Sequence, residues 1–279
     1  MIQIKEIFVK KILNPTQINL GEYVINPYRG CVYGCIYCYV KANKSIVLNK
    51  QRWGRFVEIR TNAVKLLREE LKTKKPKRVL IGSTTDCFQP LEKKYRLMEK
   101  ILTILNENAV FYNILTRSPL CLNYLDILKK GYCESIYFTI NDYPIEYKRI
   151  IEPASPSFLL RFQTIKKISE SGIKVIPYIS PLLPWLTNLE KIFLMLEGFK
   201  YVSFEALNLF HPHIKDLIDN ISKENSNISQ KYLRMKTYRN YYEKIWKACQ
   251  KKINDLASIR DLKYQFYIHH FESFYQNKY

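Results

Sequence analysis

The chain has 279 residues, which is long enough for one large α/β domain with a substantial buried core. Apolar residues make up 47% of it, and this fraction excludes an intrinsically disordered protein. Lysine and arginine number 45 against 25 acidic residues, and the formal charge is +20. This charge favours a polyanionic partner such as nucleic acid, although a lysine-rich compositional bias is an alternative explanation.

Cysteine usage and hydropathy indicate the compartment. Seven cysteines, an odd number without a disulfide-like spacing, predict a reducing environment. The first ten residues alternate apolar and charged positions like a strand and lack the uninterrupted apolar core of a signal peptide. The most apolar segment, residues 175–186, is short and contains three prolines, so it does not match a membrane span. We expect a cytoplasmic protein with no membrane partner, and the oligomeric state stays open.

Short apolar runs alternate with amphipathic stretches along most of the chain. The apolar runs predict six strands, at residues 23–25, 78–81, 110–115, 134–140, 173–179 and 201–204. The intervening stretches predict helices at residues 62–73, 92–106, from 118–119 onwards, 157–171 and 189–196. Six successive strand–helix units imply a parallel sheet with right-handed crossovers. Periodicity alone does not distinguish a partial barrel from an open, doubly wound sheet.

Three cysteines, Cys31, Cys35 and Cys38, follow the first predicted strand within eight residues. Three thiolates can hold a 4Fe–4S cluster and leave one iron open for a substrate or cofactor. The alternative is a structural zinc site, but such sites usually need a second ligand pair, and the close histidine pairs are only His211 with His213 and His269 with His270. The loop lies at the carboxyl end of a strand, where barrel enzymes carry their chemistry, and this favours the partial barrel.

The pattern changes near residue 211. Residues 229–256 predict one long helix in which tyrosines and a tryptophan alternate with lysines and arginines. Such a helix can contact phosphates and stack on bases, or its aromatic residues can pack across the open side of the barrel while its lysines face solvent. We therefore expect a core domain at residues 1–210 and a helical, basic and aromatic extension at residues 211–279.

The cysteine spacing C-x3-C-x2-C, with Tyr37 before and Tyr39 after the last cysteine, resembles the signature of the radical S-adenosylmethionine (SAM) enzymes. Further blocks resemble the spore photoproduct lyase-like family of that superfamily, in matching order over about residues 22–205. These blocks are Asn26–Cys31, Trp53–Glu58, Gly82–Asp86, Gln89–Glu92, Thr116–Pro119 and Ile151–Pro153 leading to Arg161.

The resemblance implies a partial (β/α)6 TIM-type barrel of the radical SAM type with a helical C-terminal extension. It implies that Cys31, Cys35 and Cys38 bind three irons of a [4Fe–4S] cluster, with SAM on the fourth. An external one-electron reductant of the flavodoxin or ferredoxin type would drive SAM cleavage to methionine and a 5'-deoxyadenosyl radical, which abstracts hydrogen from a substrate. A lyase of the DNA-repair kind is the activity that this family suggests.

The same resemblance suggests roles for individual residues. Tyr37, with Tyr39 beside it, would lie against the adenine, or its ring would only buttress the cluster loop. Oxygens of Ser83, Thr85 and Asp86 would accept hydrogen bonds from the SAM ammonium group, or Thr85 and Asp86 would cap a helix.

On the other side of SAM, Glu152 would bind the ribose hydroxyls and Arg161 the methionyl carboxylate, with an exposed ion pair as the alternative for each. Ser180, placed after the fifth strand, is a further candidate. Arg117, Asn141 and Tyr143 at strand ends are expected to line the substrate pocket.

One position departs from the family pattern. Spore photoproduct lyase is known for a cysteine after the second strand that returns a hydrogen atom to the repaired thymine, and Ser83 stands at the matching position here. A hydroxyl is a poor hydrogen-atom donor, so Cys87 is the candidate for that catalytic role, or else it is a small buried residue. Three functions stay open: a radical SAM enzyme acting on nucleic acid, one acting on a peptide or small metabolite, and a non-catalytic iron–sulfur or zinc nucleic-acid-binding protein.

Overall fold

A computed structural model describes residues 2–48 and 51–271, and it has the predicted α/β class. The strands are β1 Gln3–Ile7, β2 Asn14–Pro15, β3 Tyr23–Ile25, β4 Tyr28–Arg29, β5 Phe56–Arg60, β6 Arg78–Ile81, β7 Phe111–Thr116, β8 Cys133–Thr139, β9 Val175–Leu182, β10 Tyr201–Ala206 and β11 Lys263–Tyr267. The helices are α1 Ala63–Lys74, α2 Glu92–Tyr95, α3 Leu97–Glu107, α4 Leu125–Leu128, α5 Ile145–Ile151, α6 Phe158–Glu170, α7 Leu189–Met195, α8 Ile214–Glu224, α9 Ser226–Thr237 and α10 Arg239–Ser258. All six predicted strands are present, as β3 and β6 to β10.

The described residues form two compact units. The first contains residues 2–34, 44–48, 51–139 and 155–176, and the second contains residues 35–43, 140–154 and 177–271. Among the helices that the structure describes, none combines the length and apolar composition that a bilayer crossing requires.

The first unit is organised around the parallel strands β3, β6, β7 and β8, which are adjacent in that order, with β2 antiparallel at the end of the row. Val79, Leu80 and Ile81 of β6 are completely buried, although they point alternately to opposite faces. A strand that is apolar on both faces is typical of a parallel sheet covered by helices.

A second, three-stranded sheet in this unit has the order β1, β5, β4. The alternating start of the chain predicted β1, whereas β5 was not predicted from the sequence. β1 runs parallel to β5, and β4 runs antiparallel to it. β5 thus places the second half of the Trp53–Glu58 block beside Tyr28 and Arg29, directly before the cysteine loop.

The second unit contains the parallel strands β10 and β11 and most of β9, with β10 between the other two. Tyr232, Tyr242 and Trp246 of the C-terminal helices are buried, so these three aromatic residues belong to a core rather than to an exposed stripe. The extension is not wholly helical, because it also supplies β11, which was not predicted.

Two predicted helices are each interrupted. Residues 92–106 form α2 and α3, separated by Arg96 with a left-handed φ of 46°, because the buried Glu92 carboxylate accepts the Leu97 and Met98 N–H groups at the start of α3. The single helix predicted at residues 229–256 is wrong as well. Tyr238 is extended and separates α9 from α10, and each helix is tied to a different segment. The Tyr232 hydroxyl of α9 donates to the Pro184 carbonyl, and the Tyr242 hydroxyl of α10 donates to the His269 carbonyl.

Candidate cofactor-binding site

The cysteine loop follows β4. Cys31 and Cys35 are buried and Cys38 is half-buried. Gly30 has a φ of 87°, and a Cβ atom there would lie 2.3 Å from the Phe56 carbonyl oxygen. Gly34 has a φ of 60° and packs on Gly54, where a Cβ atom would lie 2.8 Å from the Gly34 Cα atom. Glycine is therefore required at these positions, because backbone approaches backbone and φ is left-handed.

Side chains of the loop after β6 hold the start of the cysteine loop. The Val32 N–H donates to Gln89 Oε1 at 3.1 Å, and the Thr85 hydroxyl donates to the Gly30 carbonyl at 2.6 Å. Gln89 Nε2 also donates to the Thr85 hydroxyl oxygen. Cys31 thus lies between two residues whose backbone groups are bound by the Gly82–Glu92 region, and this contact explains why the family blocks occur together.

The candidates for the SAM ammonium site lie in this same loop. Asn26 joins it to the first predicted strand, because its Nδ2 donates to the Ser83 hydroxyl and its Oδ1 accepts from the Thr84 N–H. Thr85 is engaged by Gly30 and Gln89, as described above. SAM binding by Ser83 and Thr85 stays a prediction.

Asp86 has three internal hydrogen-bond donors. Its carboxylate accepts from the Phe88 N–H, the Thr116 hydroxyl and the Arg117 N–H at 2.8–2.9 Å. Burial raises the pKa of this carboxyl, and the three donors oppose the shift. The bond to Phe88 closes a local turn two residues long and is not the helix cap that was the alternative to SAM binding, because α2 begins at Glu92. The structure therefore gives Asp86 a role in shaping the loop, and its contact with SAM stays a prediction.

Cys87 is completely buried. Its Sγ atom lies 3.4 Å from the position that a Cβ atom would take on Gly82, and burial raises the pKa of the thiol, so the sulfur carries its hydrogen at neutral pH. These are the properties of a small core residue. Hydrogen donation by Cys87 stays a prediction.

The second unit carries a connected polar group around Glu152, which directly follows α5 and is completely buried. The Tyr37 hydroxyl donates to Glu152 Oε1 at 2.5 Å, and Asn141 Nδ2 donates to the same oxygen at 3.0 Å. The Asn141 amide also pairs with the Ser180 backbone through both the N–H and the carbonyl. The structure thus joins three predicted site residues, Tyr37, Glu152 and Ser180, through Asn141.

Several placements differ from expectation. Ser180 lies within β9 rather than after it, because the strand continues to Leu182. Arg161 of α6 and Glu152 are both fully buried, so the alternative of exposed ion pairs is wrong for both. Burying a guanidinium costs free energy unless acceptors bind it, so the burial of Arg161 indicates that its side chain makes a specific contact. Tyr143 donates to the Pro181 carbonyl at 2.8 Å, and Tyr39 is 52% exposed. The roles of Tyr143 in the substrate pocket and of Tyr39 beside the adenine stay predictions.

His211 of the zinc alternative has other partners. His211 Nε2 contacts the Tyr39 carbonyl oxygen at 2.7 Å, and its Nδ1 accepts from the His213 N–H at 3.1 Å. Both ring nitrogens are therefore engaged, which leaves His211 no lone pair for a metal. Within residues 2–48 and 51–271, no three His, Cys, Asp or Glu side chains converge on a single metal position. A four-iron cluster has a different requirement, because each thiolate binds a different iron.

Sequence reasoning missed one polar group of the second unit. Glu205 in β10 lies 3.4 Å from His269, which follows β11. The two residues meet only because β11 pairs in parallel with β10, with Tyr267 opposite Glu205. The one available signal was the alternation of residues 263–267, which is short and lies beyond the predicted barrel.

Comparison with known proteins agrees with this geometry. The Radical SAM superfamily model matches residues 25–192, more than half of the chain, and the chain belongs to that superfamily. Uncharacterized protein MJ0683 of Methanocaldococcus jannaschii is 36% identical over 210 residues, which cover 75% of this chain and 79% of the relative. Uncharacterized protein Rv2578c of Mycobacterium tuberculosis is 28% identical over 67% of this chain and 58% of its own length.

Solved structures share the fold at low identity. Spore photoproduct lyase complexed with dinucleoside spore photoproduct has a TM-score of 0.67 at 14% identity, covering 95% of this chain and 82% of that one. SuiB of Streptococcus suis bound to precursor peptide SuiA has a TM-score of 0.56 at 16% identity, covering 91% of this chain and 50% of that one. The fold is therefore of the radical SAM barrel type and is similar to that of spore photoproduct lyase. Membership of the superfamily implies a 4Fe–4S cluster and SAM, and one variant of spore photoproduct lyase is known with AdoMet bound.

Proposed function

We propose that this protein is a radical SAM enzyme that abstracts a hydrogen atom from a nucleic-acid substrate. The observation that carries the enzymatic part is the cysteine loop, in which Gln89 and Thr85 bind the backbone on either side of Cys31 and Gly34 packs on Gly54. The donor set fits the cluster, since three thiolates leave one iron for SAM. Cys31, Cys35 and Cys38 would hold it.

When bound, the cluster and SAM would supply one-electron chemistry for hydrogen-atom abstraction, with the electron coming from an external reductant. The protein positions SAM and the substrate and excludes water. Tyr37 and Asn141 both donate to Glu152 Oε1, and the fixed orientation that these bonds give the buried carboxylate supports its proposed role in binding the ribose. Arg161 would bind the methionyl carboxylate.

Two observations support a nucleic-acid substrate. The formal charge is +20, and basic side chains of the second unit lie over aromatic rings on its surface. The Arg234 guanidinium is 4.5 Å from the Tyr241 ring centre, and Lys231 is 5.4 Å from that of Trp185, which is 39% exposed. Cation–aromatic pairs of this kind recur in single-strand binding surfaces. The dinucleoside ligand of spore photoproduct lyase, whose fold is similar, is consistent with the proposal.

The test of SAM cleavage is anaerobic reconstitution with iron and sulfide, reduction, and chromatography for 5'-deoxyadenosine after SAM is added. We expect product from the wild type and from Cys249→Ala, which alters a cysteine on α10, far along the chain from the loop. Cys35→Ala should lose both the cluster absorbance and the product. Normal product from Cys35→Ala would refute the ligand assignment.

The substrate is tested separately with single- and double-stranded oligonucleotides. Phosphate contacts release counterions, so the binding constant should fall steeply with salt, with a log–log slope of roughly −0.7 per contact for single strands. Binding that is absent or insensitive to salt would favour a peptide or small-metabolite substrate, and SAM cleavage would be unaffected by that outcome.

A further inference from the structure

Four polar side chains lie on or just after the three strands of the second unit, and three of them have no part in the proposed SAM site. These three are Glu205 of β10, Tyr178 of β9 and His269, which follows β11; the fourth is Ser180 of β9. Because Glu205 stands opposite Tyr267 in the parallel register, His269 emerges just beyond the carboxylate. In a parallel sheet the edge at the carboxyl ends of the strands is where ligands bind.

Both oxygens of Glu205 are engaged. Oε2 accepts from the Tyr178 and Ser180 hydroxyls, each at 2.6 Å, and Oε1 lies 3.4 Å from His269 Nε2. Burial alone would raise the pKa of this carboxyl, but the hydrogen bonds from His269, Ser180 and Tyr178 bring it below its ordinary value. Glu205 is therefore a charged acceptor that orients Tyr178, Ser180 and His269.

His269 is held at three points. Its Nε2 faces Glu205, its ring meets the Tyr267 ring edge-on with centres 4.9 Å apart, and its backbone carbonyl accepts the Tyr242 hydroxyl at 2.5 Å. The side chain is only 16% exposed. An imidazole whose Nε2 faces a carboxylate is held in one orientation, and Nδ1 is the ring nitrogen on the side away from that carboxylate.

We propose that His269, oriented by Glu205, donates a hydrogen bond from Nδ1 to a phosphodiester oxygen of the substrate. This inference rests on the proposed nucleic-acid substrate and names a residue that contacts it. A phosphodiester offers only acceptors and one negative charge, so in the proposed complex the ring carries a proton on each nitrogen, with Nε2 toward Glu205 and Nδ1 toward the phosphodiester. Glu205 does not compete for that donor, because its oxygens face Nε2 and the two hydroxyls.

The experiment compares fluorescence-anisotropy binding of a short single-stranded oligonucleotide with a series in which one linkage at a time is an uncharged methylphosphonate. Cluster-loaded wild type, His269→Gln and the matched control His270→Gln are measured at one fixed salt concentration. We expect wild type and His270→Gln to lose about tenfold in affinity at one particular linkage, as a charge-assisted hydrogen bond predicts. His269→Gln should bind the unmodified strand about tenfold more weakly and show no further loss at that linkage.

The outcomes separate the two proposals. If the wild type binds no oligonucleotide, both the nucleic-acid substrate and the role of His269 fall. If the wild type binds and His269→Gln retains the full methylphosphonate penalty, only the role of His269 falls. Cluster absorbance and circular dichroism of His269→Gln should match the wild type. Glu205→Gln, which removes the charge but retains an oxygen for the hydroxyl donors, should weaken binding at the same linkage and so supports the assignment independently.

Discussion

Glu92 provides the clearest measure of how the interior of the first unit supports the cysteine loop. Its carboxylate is completely buried and accepts four hydrogen bonds. Oε2 accepts from the Tyr28 hydroxyl and the Leu97 N–H, and Oε1 accepts from the Tyr124 hydroxyl at 2.9 Å and the Met98 N–H at 2.7 Å. Tyr28 precedes Cys31 by three positions, so this carboxylate links the start of α3 to the entry of the cysteine loop.

Glu92→Ala removes the acceptor of all four donors. The two hydroxyls can rotate toward other acceptors, but the two N–H groups at the start of α3 are fixed, and each buried donor left without an acceptor costs about 1–3 kcal/mol. We expect a loss of about 4 kcal/mol in the free energy of unfolding, more than most single substitutions cause. Tyr124→Phe removes one donor and leaves the carboxylate with three, so it should cost about 1.5 kcal/mol.

The assay is urea unfolding of the metal-free chain under reducing conditions, followed by far-ultraviolet circular dichroism. Iron bound per chain after reconstitution is measured in parallel and should fall in Glu92→Ala, because Tyr28 loses its anchor. If Glu92→Ala costs no more than Tyr124→Phe, then the carboxylate does not organise this part of the core and the reasoning fails.

Three further predictions concern the loop, the SAM site and pH. Gly54→Ala should bind little iron after reconstitution, because its Cβ atom would lie 2.8 Å from a backbone atom of the cysteine loop. The control Gly131→Ala also has a left-handed φ but nothing within 4 Å, so it should lose only about 1 kcal/mol in the free energy of unfolding and bind iron normally. Equal iron contents in the two variants would contradict this prediction. Tyr37→Phe should raise the Kd for SAM about tenfold, because it removes the hydroxyl that donates to the Glu152 carboxylate and orients it. An unchanged Kd would exclude this orienting role of Tyr37. Burial lowers the pKa of His211 below its usual value of about 6.5. The folded state therefore keeps its full stability above about pH 6.5 and loses some of it as the pH falls from about 6.5 to the lower pKa of the folded state, because the unfolded chain takes up the proton first. The urea midpoint of wild type should therefore fall more between about pH 7.5 and 5.5 than that of His211→Gln, and equal falls would refute the assignment.

The strands that could be predicted are those in which several consecutive residues are apolar. After Arg78, β6 is an apolar run from Val79 to Ile81 with turn residues after it, and no distant partner is needed to recognise it. β5 and β11 escaped prediction because each mixes polar and apolar residues and depends on a parallel neighbour far along the chain, β1 and β10 respectively. The break at Arg96 escaped because a non-glycine residue adopts a left-handed φ there, for the sake of a contact made by a buried carboxylate.

The candidate site divides in the same way. Three closely spaced cysteines are a local pattern, so the metal ligands could be proposed without a fold. Glu152 and Arg161 needed the family resemblance, and the structure adds that both are buried. Neither the spacing nor the resemblance contained the bridge that Asn141 makes from Glu152 to Ser180, or the meeting of Glu205 with His269. Those contacts follow from strand register and chain path, which no short window of sequence records.

The hydrogen bonds that Gln89 and Thr85 make with the backbone around Cys31 bear on what happens when oxygen destroys the cluster. Both hydrogen bonds join protein groups alone. We therefore expect a molecule that has lost its iron to oxygen to keep the backbone path on either side of Cys31. Repair of that part of the molecule would then require iron and sulfide but no refolding.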